Sequence, residues 1–394
     1  MTLRILVLSF YYAPDLSAGS FRAEALVKSL QSELEGRAHI DVVTTRPNRY
    51  HSYRENAPRF EQNGPVSIHR VGLPLHRSGM FDQVAAFTTF ARGALKIVKH
   101  QQYDLVLATS SRLMTAVLGA VIARRKARRL YLDIRDIFVD TLPELFPWHL
   151  GALAAWVFSP VERWTIRQAS RVNLISPGFL PYFSRRYPEL TFAQYTNGVD
   201  ELFLKSRSPQ QEGTQATQGR LKVVYAGNLG LGQGLHIILP SLAKRLEDRV
   251  EFHLVGAGGA ADKLIRALDQ HDVTNVRISP PMKREQLIGT YQDADVLFLH
   301  LNNLKAFRKV LPSKLFEYAA TNKPIWAGLS GYPRRFTRQR IKNAAIFSPC
   351  DIEGAVEALD RLELQLTCRR EFVEQYSRSF IKQRMAKDIS KVMH

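Results

Sequence analysis

VVYAGNLGLGQGL, residues 223–235, decides how this chain folds. A continuously apolar run leads into four glycines and then into a helical pattern. Short apolar runs of this kind suit strands covered on both faces, as in parallel sheets. Glycines allow a tight turn and close approach of a ligand to the backbone, and a helix N-terminus offers unpaired N–H groups to phosphate. Two readings of the turn stand, phosphate binding and packing alone. A nicotinamide-cofactor fingerprint would place an acidic residue at the end of the next strand. Here that strand, EFHLVGAG (251–258), ends Leu254-Val255-Gly256-Ala257 without a carboxylate, which argues against such a cofactor. No GxxxxGK[ST] occurs, so a P-loop enzyme is not indicated.

The same alternation spreads outward from the turn. Further strands are expected at VRIS (276–279), DVLFLHL (295–301), PIWAG (324–328) and AIFS (345–348), with helices near 233–247, 260–270, 283–293, 313–321 and 351–366. The first half carries RILVLS (4–9), HIDVVTT (39–45), VSIHRV (66–71), DLVLATS (104–110), RLYLDI (129–134) and RVNLIS (171–176). Helical patterns at 20–35, 81–99, 113–126 and 151–168 separate them. Alternation of this kind predicts an α/β chain with doubly wound parallel sheets. SRSPQQEGTQATQGR (206–220) is polar and interrupts the pattern as a linker would. The expected organisation is a Rossmann-like domain at 1–203, a linker at 204–220 and a second Rossmann-like domain at 221–369. A basic amphipathic helix at 370–394 is expected to pack back on the first domain. Two such domains would face a cleft at the carboxyl ends of both sheets, where ligands of these folds bind.

Among 394 residues, 55 are Lys or Arg and 36 are Asp or Glu, a net charge of +19. That balance favours a polyanionic partner: nucleic acid, an anionic membrane surface or a phosphorylated substrate. The charge clusters in ARRKARR (123–129), SRR (184–186) and YPRRFTRQRIK (332–342). Aromatic residues do not interleave with these runs as a base-stacking platform needs, which disfavours nucleic acid. Cys350 and Cys368 are the only cysteines and form no CxxC pair, which fits a reducing cytoplasm and argues against structural zinc. No apolar run reaches the roughly 18 residues of a spanning helix. MTLRILVLSFYY reads as a first strand, so no signal peptide is expected.

PSKLFEYAATNKPIWAG (312–328) places Lys314 and Glu317 three residues apart at the start of a helix, hence on one face. A solvated helical ion pair is the plain reading. Both flanks are apolar, however, and Pro312-Ser313 aims the helix N-terminus at the ligand side. A cation and amide donors suit a pyrophosphate, and a carboxylate one turn further suits the hydroxyls of a ribose, so the stretch reads as a nucleotide-diphosphate site. In the first half, Ala18-Gly19-Ser20 opens a helix carrying Arg22 and Glu24. It either holds an acceptor or the donor pyrophosphate, or is an ordinary loop with Ser20 as N-cap.

Taken in order, these pieces resemble the retaining, sugar-nucleotide-dependent glycosyltransferases of family four, which have the GT-B fold. The resemblance covers nearly the whole chain. It is carried by AGSFR (18–22), DIRD (133–136), ISPGF (175–179), TNGVD (196–200), YAGNLGLGQGL (225–235), FHLVGAGG (252–259), DADVLFL (293–299) and PSKLFEYAATNKPIWAG. The nearest subgroup is similar to bacterial O-antigen and capsule transferases, some of which use N-acetylated amino sugars such as N-acetylfucosamine. The resemblance implies donor binding in the second domain. Glu317 falls on the second glutamate of an E-x7-E motif that holds the ribose, and Ile278, Ser279 and Pro280 fall at the base. Gly19, Gly227 and Gly256 fall near the donor, with Ser313 at the helix start. Three departures stand out. The first glutamate of the motif is replaced by Lys309, the cations expected after the GN turn become Asn228 and Gln233, and the His-Asp pair near the reaction centre becomes Arg135-Asp136. Positive charge for the diphosphate is then expected from Arg308, Lys309 and Lys314.

The implied reaction moves a sugar from a UDP-sugar to a polyprenyl-diphosphate-linked saccharide in lipopolysaccharide or capsule assembly, without a metal or other cofactor. Arg135, Asp136 and Lys314 are the catalytic candidates, and Ser20, Arg22 and Ser110 the acceptor-side candidates. Asp136 either orients the acceptor and eases proton transfer or is a structural carboxylate paired with Arg135. The class is commonly described as reacting on one face of the sugar with no side-chain nucleophile, and no Ser/His/Asp or Cys/His arrangement demands one. A sugar-nucleotide epimerase of the same fold is the alternative. A location at the cytoplasmic face of the inner membrane, on anionic lipid, is expected. LFPWHLGALAAWVF (145–158), followed by Arg163, Arg167 and Arg171, is either a core helix or an interfacial one, and 80–100 is a second candidate.

Overall fold

The computed structural model describes residues 2–15, 17–47, 57–74, 80–110, 113–145, 148–205 and 219–393. It divides into two compact units, Met1–Asn197 with Ser379–His394, and Gly198–Arg378. Of the expected linker, residues 206–218 lie outside the described residues.

The first unit runs β1 (Leu3–Ser9), α1 (Ala18–Leu34), β2 (Ala38–Thr45), β3 (Phe60–Asn63), β4 (Val66–Val71), α2 (Met80–Ile97) and β5 (Tyr103–Ser110). It continues with α3 (Leu113–Lys126), β6 (Ala127–Ile134), α4 (Phe138–Leu145), α5 (Trp148–Arg167), β7 (Arg171–Leu174), α6 (Leu180–Arg186) and β8 (Phe192–Ala193). Its eight strands lie in the order β3-β4-β2-β1-β5-β6-β7-β8. All pairings are parallel except that of β3 with β4. The apolar runs become the buried centre: Ile5, Leu6, Val42, Val43, Leu105, Leu107 and Leu132 are all essentially inaccessible.

The second unit contains α7 (Glu201–Lys205), β9 (Leu221–Ala226), α8 (Leu235–Arg245), β10 (Val250–Val255), α9 (Ala261–Gln270), β11 (Val276–Ser279) and α10 (Arg284–Gln292). Then follow β12 (Val296–His300), α11 (Ser313–Ala320), β13 (Ile325–Gly328), α12 (Gly331–Arg340), β14 (Ala344–Phe347), α13 (Ile352–Asp360) and α14 (Arg370–Gln375). Its sheet is wholly parallel, ordered β11-β10-β9-β12-β13-β14. The last helix, α15 (Arg378–Met393), supplies Met385, Ala386 and Ile389 to a first-unit core with Leu30, Leu34, Val42 and Tyr131. Its Asp388 accepts from the Tyr131 hydroxyl and pairs with Arg171.

Both sheets are doubly wound, as the alternation predicts. Four of the differences bear on the reading of the sequence. Short, mostly exposed β3 carries no apolar period. The cluster at 332–342 folds into α12, in which only Pro333, Phe336 and Thr337 are buried among the arginines, so the charge hides a helix. The helix expected at 351–366 stops at Asp360. The stretch 370–394 breaks into α14 and α15 where Ser377 bridges to Val199.

Candidate functional site

In doubly wound sheets the strand order reverses at one point, and loops leaving the strands there splay apart at their carboxyl ends. In the second unit this point lies between β9 and β12. The glycine-rich turn leaves β9 there. Asn228 Nδ2 donates to Gln233 Oε1 at 3.1 Å, and the Tyr225 hydroxyl donates to the Asn228 carbonyl at 2.7 Å. Asn228 and Gln233, where the resemblance expects cations, therefore brace the turn against itself. Gly234 stands at φ +64° and opens α8, and the amide of Asn302 donates to the Gly232 carbonyl. A Cβ on Gly256 would overlap the carbonyl of Gly227, so the loop after β10 presses on the glycine turn. Gly256 N in turn donates to the Ser279 carbonyl at 2.9 Å, and the Ser279 hydroxyl lies 2.9 Å from His253 Nε2. Pro280 next to it is exposed.

His300, which the sequence reading passed over, underpins this turn. It is fully buried at the end of β12, and burial holds its pKa down to about 4, so the ring is neutral at pH 7. One ring nitrogen contacts the Gln233 carbonyl at 2.6 Å and the other accepts from Cys350 N at 3.0 Å. Those partners place the proton on Nδ1, because a carbonyl only accepts and an amide N–H only donates.

Lys314 and Glu317 meet as the helical spacing requires. The ammonium of Lys314 lies 2.7 Å from the Glu317 carboxylate and 3.1 Å from the Tyr291 hydroxyl, over whose ring it also sits. This is not a solvated surface pair, since the Glu317 side chain keeps only 11% of its surface. Burial by itself would lower the Lys314 pKa, but the Glu317 carboxylate, with the surrounding tyrosines, offsets that and raises it, so the group stays cationic. Tyr291 and Tyr318, both fully buried, complete the shell, and burial pushes both phenols well above their ordinary range. The Tyr318 hydroxyl accepts from Ala226 N at 3.1 Å, tying α11 to the end of β9. A Cβ on Gly227 would stand 3.7 Å from Lys314 Cε, so the cation adjoins the glycine turn. No side chain caps α11, whose N-cap is Pro312 and whose first residue is Ser313. Amides and dipole at such an end favour an anion. Arg308 is exposed just upstream, and Lys309 follows it half-buried at the end of a short turn.

In the first unit the reversal falls between β1 and β5. The start of α1 follows β1, Ser110 ends β5, and Arg135 and Asp136 follow β6. Arg135 N donates to the Ser110 carbonyl at 2.9 Å, and a Cβ on Gly19 would overlap the Arg135 guanidinium. Gly19, Ser110 and Arg135 are thus brought together, and Gly19 serves first to admit that arginine. Asp136 has a solvent-accessible side chain, yet the density of protein around it raises its carboxyl pKa to about 6, against the pull of Arg135.

Ser20 and Arg22, named for the acceptor side, both lie inside the unit, and the ordinary-loop alternative with Ser20 as N-cap does not hold. The N-cap of α1 is Ser17, whose hydroxyl accepts from Ser20 N, while Ser20 itself is fully buried. Arg22 is also buried and makes paired hydrogen bonds of 2.7 Å to both Asp133 oxygens, with further bonds to the Thr196 and Tyr195 carbonyls. Its guanidinium is committed inside the unit. The reason is geometric: one turn into α1 the side chain points down into the sheet, where Asp133 of β6 needs a counter-charge.

Two halves, each doubly wound with its candidate groups at the carboxyl ends of its strands, are the elements of the GT-B fold. Residues 22–189 match the glycosyl transferase 4-like domain and residues 206–379 match the glycosyl transferases group 1, so the chain belongs with these glycosyltransferases. Among curated proteins it is similar to the putative colanic acid biosynthesis glycosyl transferase WcaI of Escherichia coli K12, at 22% identity over 81% of each chain. Among solved structures it resembles sucrose-phosphate synthase from Thermosynechococcus elongatus, with a TM-score of 0.76 at 14% identity over 99% of both chains. It also resembles Anabaena HepE in complex with UDP and glucose, with a TM-score of 0.63 at 16% identity over 99% of this chain and 100% of that one.

Proposed function

We propose that this glycosyltransferase moves an N-acetylated hexosamine or 6-deoxyhexosamine from a UDP-sugar to a polyprenyl-diphosphate-linked saccharide, with retention. The setting is O-antigen or capsule assembly at the cytoplasmic face of the inner membrane. The observation that carries the donor half is the Lys314–Glu317 pair at the uncapped start of α11 beside the glycine turn. Relatives support it from outside: HepE is described with UDP and glucose, and WcaI as a putative glycosyl transferase of colanic acid biosynthesis.

The chemistry follows from charge. As the bond from the anomeric carbon to the phosphate oxygen breaks, negative charge grows on the leaving UDP, and cations and amide dipoles already in place stabilise it. Lys314 and the first amides of α11 take that role, and Glu317 holds the ribose. The acceptor oxygen bonds to the anomeric carbon on the face the phosphate leaves, and its proton passes to that phosphate. Asp136 orients the acceptor hydroxyl, for which proximity and alignment are the main demands. No metal or further cofactor enters this scheme.

Thermal stabilisation by a panel of nucleotides and nucleotide sugars tests the proposal. UDP and UDP-N-acetylhexosamines should raise the melting temperature more than ADP or GDP compounds. Absence of any uridine effect would overturn the donor assignment, and isomerisation of a UDP-sugar supplied alone would favour an epimerase. Asp136 adds a pH signature. With its carboxyl at about 6, the ionised form dominates at neutral pH, so turnover should fall below pH 6 and level off above. Asp136→Asn should lower turnover about tenfold or more and remove that acid limb; a pH–rate profile unchanged by the substitution would return Asp136 to a structural role.

A further inference from the structure

Helix α5 carries an apolar stripe on its outer side. Leu150, Leu153 and Val157 are about half exposed and Trp156 is 75% exposed. Their spacing puts them on one face. The inner face is separately satisfied: Gly151, Thr165 and Ile166 are buried, and Glu162 accepts from the Tyr182 and Tyr187 hydroxyls at 3.0 Å each. The exposed stripe is therefore not a displaced core.

Basic residues prolong the stripe. Arg163 and Arg167 lie two and three turns beyond Trp156 on the same face, both exposed. From α6, Arg186 stacks over the Tyr182 ring at 4.5 Å and donates to Ser159 on α5 at 3.3 Å, with exposed Arg185 beside it. Glu189 pairs with Arg167 and buried Glu162 lies near Arg186, against the four arginines 163, 167, 185 and 186, which leaves this set net cationic. Among the described residues no helix is long and apolar enough to cross a membrane.

We infer that the outer face of α5, Leu150-Leu153-Trp156-Val157 continued by Arg163 and Arg167, docks on an anionic lipid bilayer. The helix lies in the interface plane, with its apolar half among the acyl chains and its arginines, with Arg185 and Arg186, at the phosphates. A surface joining exposed tryptophan and leucine to a cationic end matches a bilayer with anionic headgroups. A nonpolar protein partner would leave the arginines without counter-charge. The inference rests on the membrane location proposed above and gives it a surface, and its test reads lipid binding rather than sugar transfer.

The test is vesicle flotation of the full chain with phosphatidylcholine alone or with added phosphatidylglycerol. The protein should float with the anionic vesicles. Leu153→Ser/Trp156→Ser should weaken that binding roughly tenfold or more, and Arg163→Glu/Arg185→Glu about tenfold on anionic vesicles only. All four side chains are exposed, so both variants should keep the parent melting temperature and its rise with UDP. Parent protein that fails to bind anionic vesicles, or variants that bind as well as the parent, would overturn the inference. A dimer in sedimentation equilibrium that Leu153→Ser/Trp156→Ser dissociates would also overturn it, assigning the stripe to a second copy.

Discussion

Arg22→Ala is expected to destabilise the first unit by about 3–5 kcal/mol, the cost typical of breaking a buried ion pair from one side. Arg22 and Asp133 retain 1% and 0% of their side-chain surface, so neither can recover hydration by turning outward. Removing the guanidinium leaves the Asp133 carboxylate with the neutral donors Asn173 at 2.7 Å and Thr109 at 3.2 Å and with the buried Lys382 as its remaining nearby cation, and also strips the Thr196 carbonyl of its Arg22 donor. Burial alone would raise the Asp133 pKa, but the Arg22 guanidinium holds it far below the carboxylate range. A depressed carboxyl contributes stability that is complete above its unfolded value of about 4 and fades as pH falls below it. The defect should therefore be full at pH 7 in urea titrations. Arg22→Met combined with Asp133→Leu should recover only part of the loss, because it removes one desolvated pair but leaves the buried Lys382 without that carboxylate and Asn173 and Thr109 without their acceptor. A loss under about 1 kcal/mol with UDP-dependent turnover abolished would return Arg22 to the acceptor site.

That result bears on how much of the protein is readable from its residues. DIRD contains two carboxylates of the same chemical type. The sequence identifies the motif, but only the pairing of β6 with α1 separates Asp133, sealed against Arg22, from accessible Asp136. The sheets themselves were legible, because strands covered on both faces must be continuously apolar, and RILVLS or DLVLATS has few other uses. Lys314 and Glu317 were legible as neighbours because helical spacing enforces it. Their tyrosine shell was not: Tyr225 and Tyr291 come from elements distant in sequence from α11, and Tyr318, on α11 itself, reads as ordinary core. His300 left one faint signal, a titratable ring closing an otherwise apolar strand, DVLFLHL. The basic cluster at 332–342 misled in the other direction, because arginine density concealed the small apolar face that docks α12.

Glu317→Gln should weaken UDP binding by roughly 1–3 kcal/mol, the usual worth of a charge-assisted hydrogen bond to a hydroxyl. Glutamine is the informative replacement. Alanine would also leave Lys314 largely buried opposite a cavity, adding a folding defect to any binding defect. Glutamine keeps the volume and an acceptor oxygen toward Lys314 while removing the charge. If the carboxylate holds the ribose, calorimetry should show weaker UDP and unchanged phosphate-only ligands, because the diphosphate rests on Lys314 and the start of α11. Lys314→Met should show the converse bias, with kcat falling further than donor affinity, since charge on the departing phosphate grows as the bond breaks. Equal losses in kcat and affinity for Lys314→Met would make the lysine a uniform binder of ground and transition states. Unchanged UDP affinity in Glu317→Gln would reduce the pair to a packing device between α11 and Tyr291, and the donor site would have to be sought elsewhere in the unit.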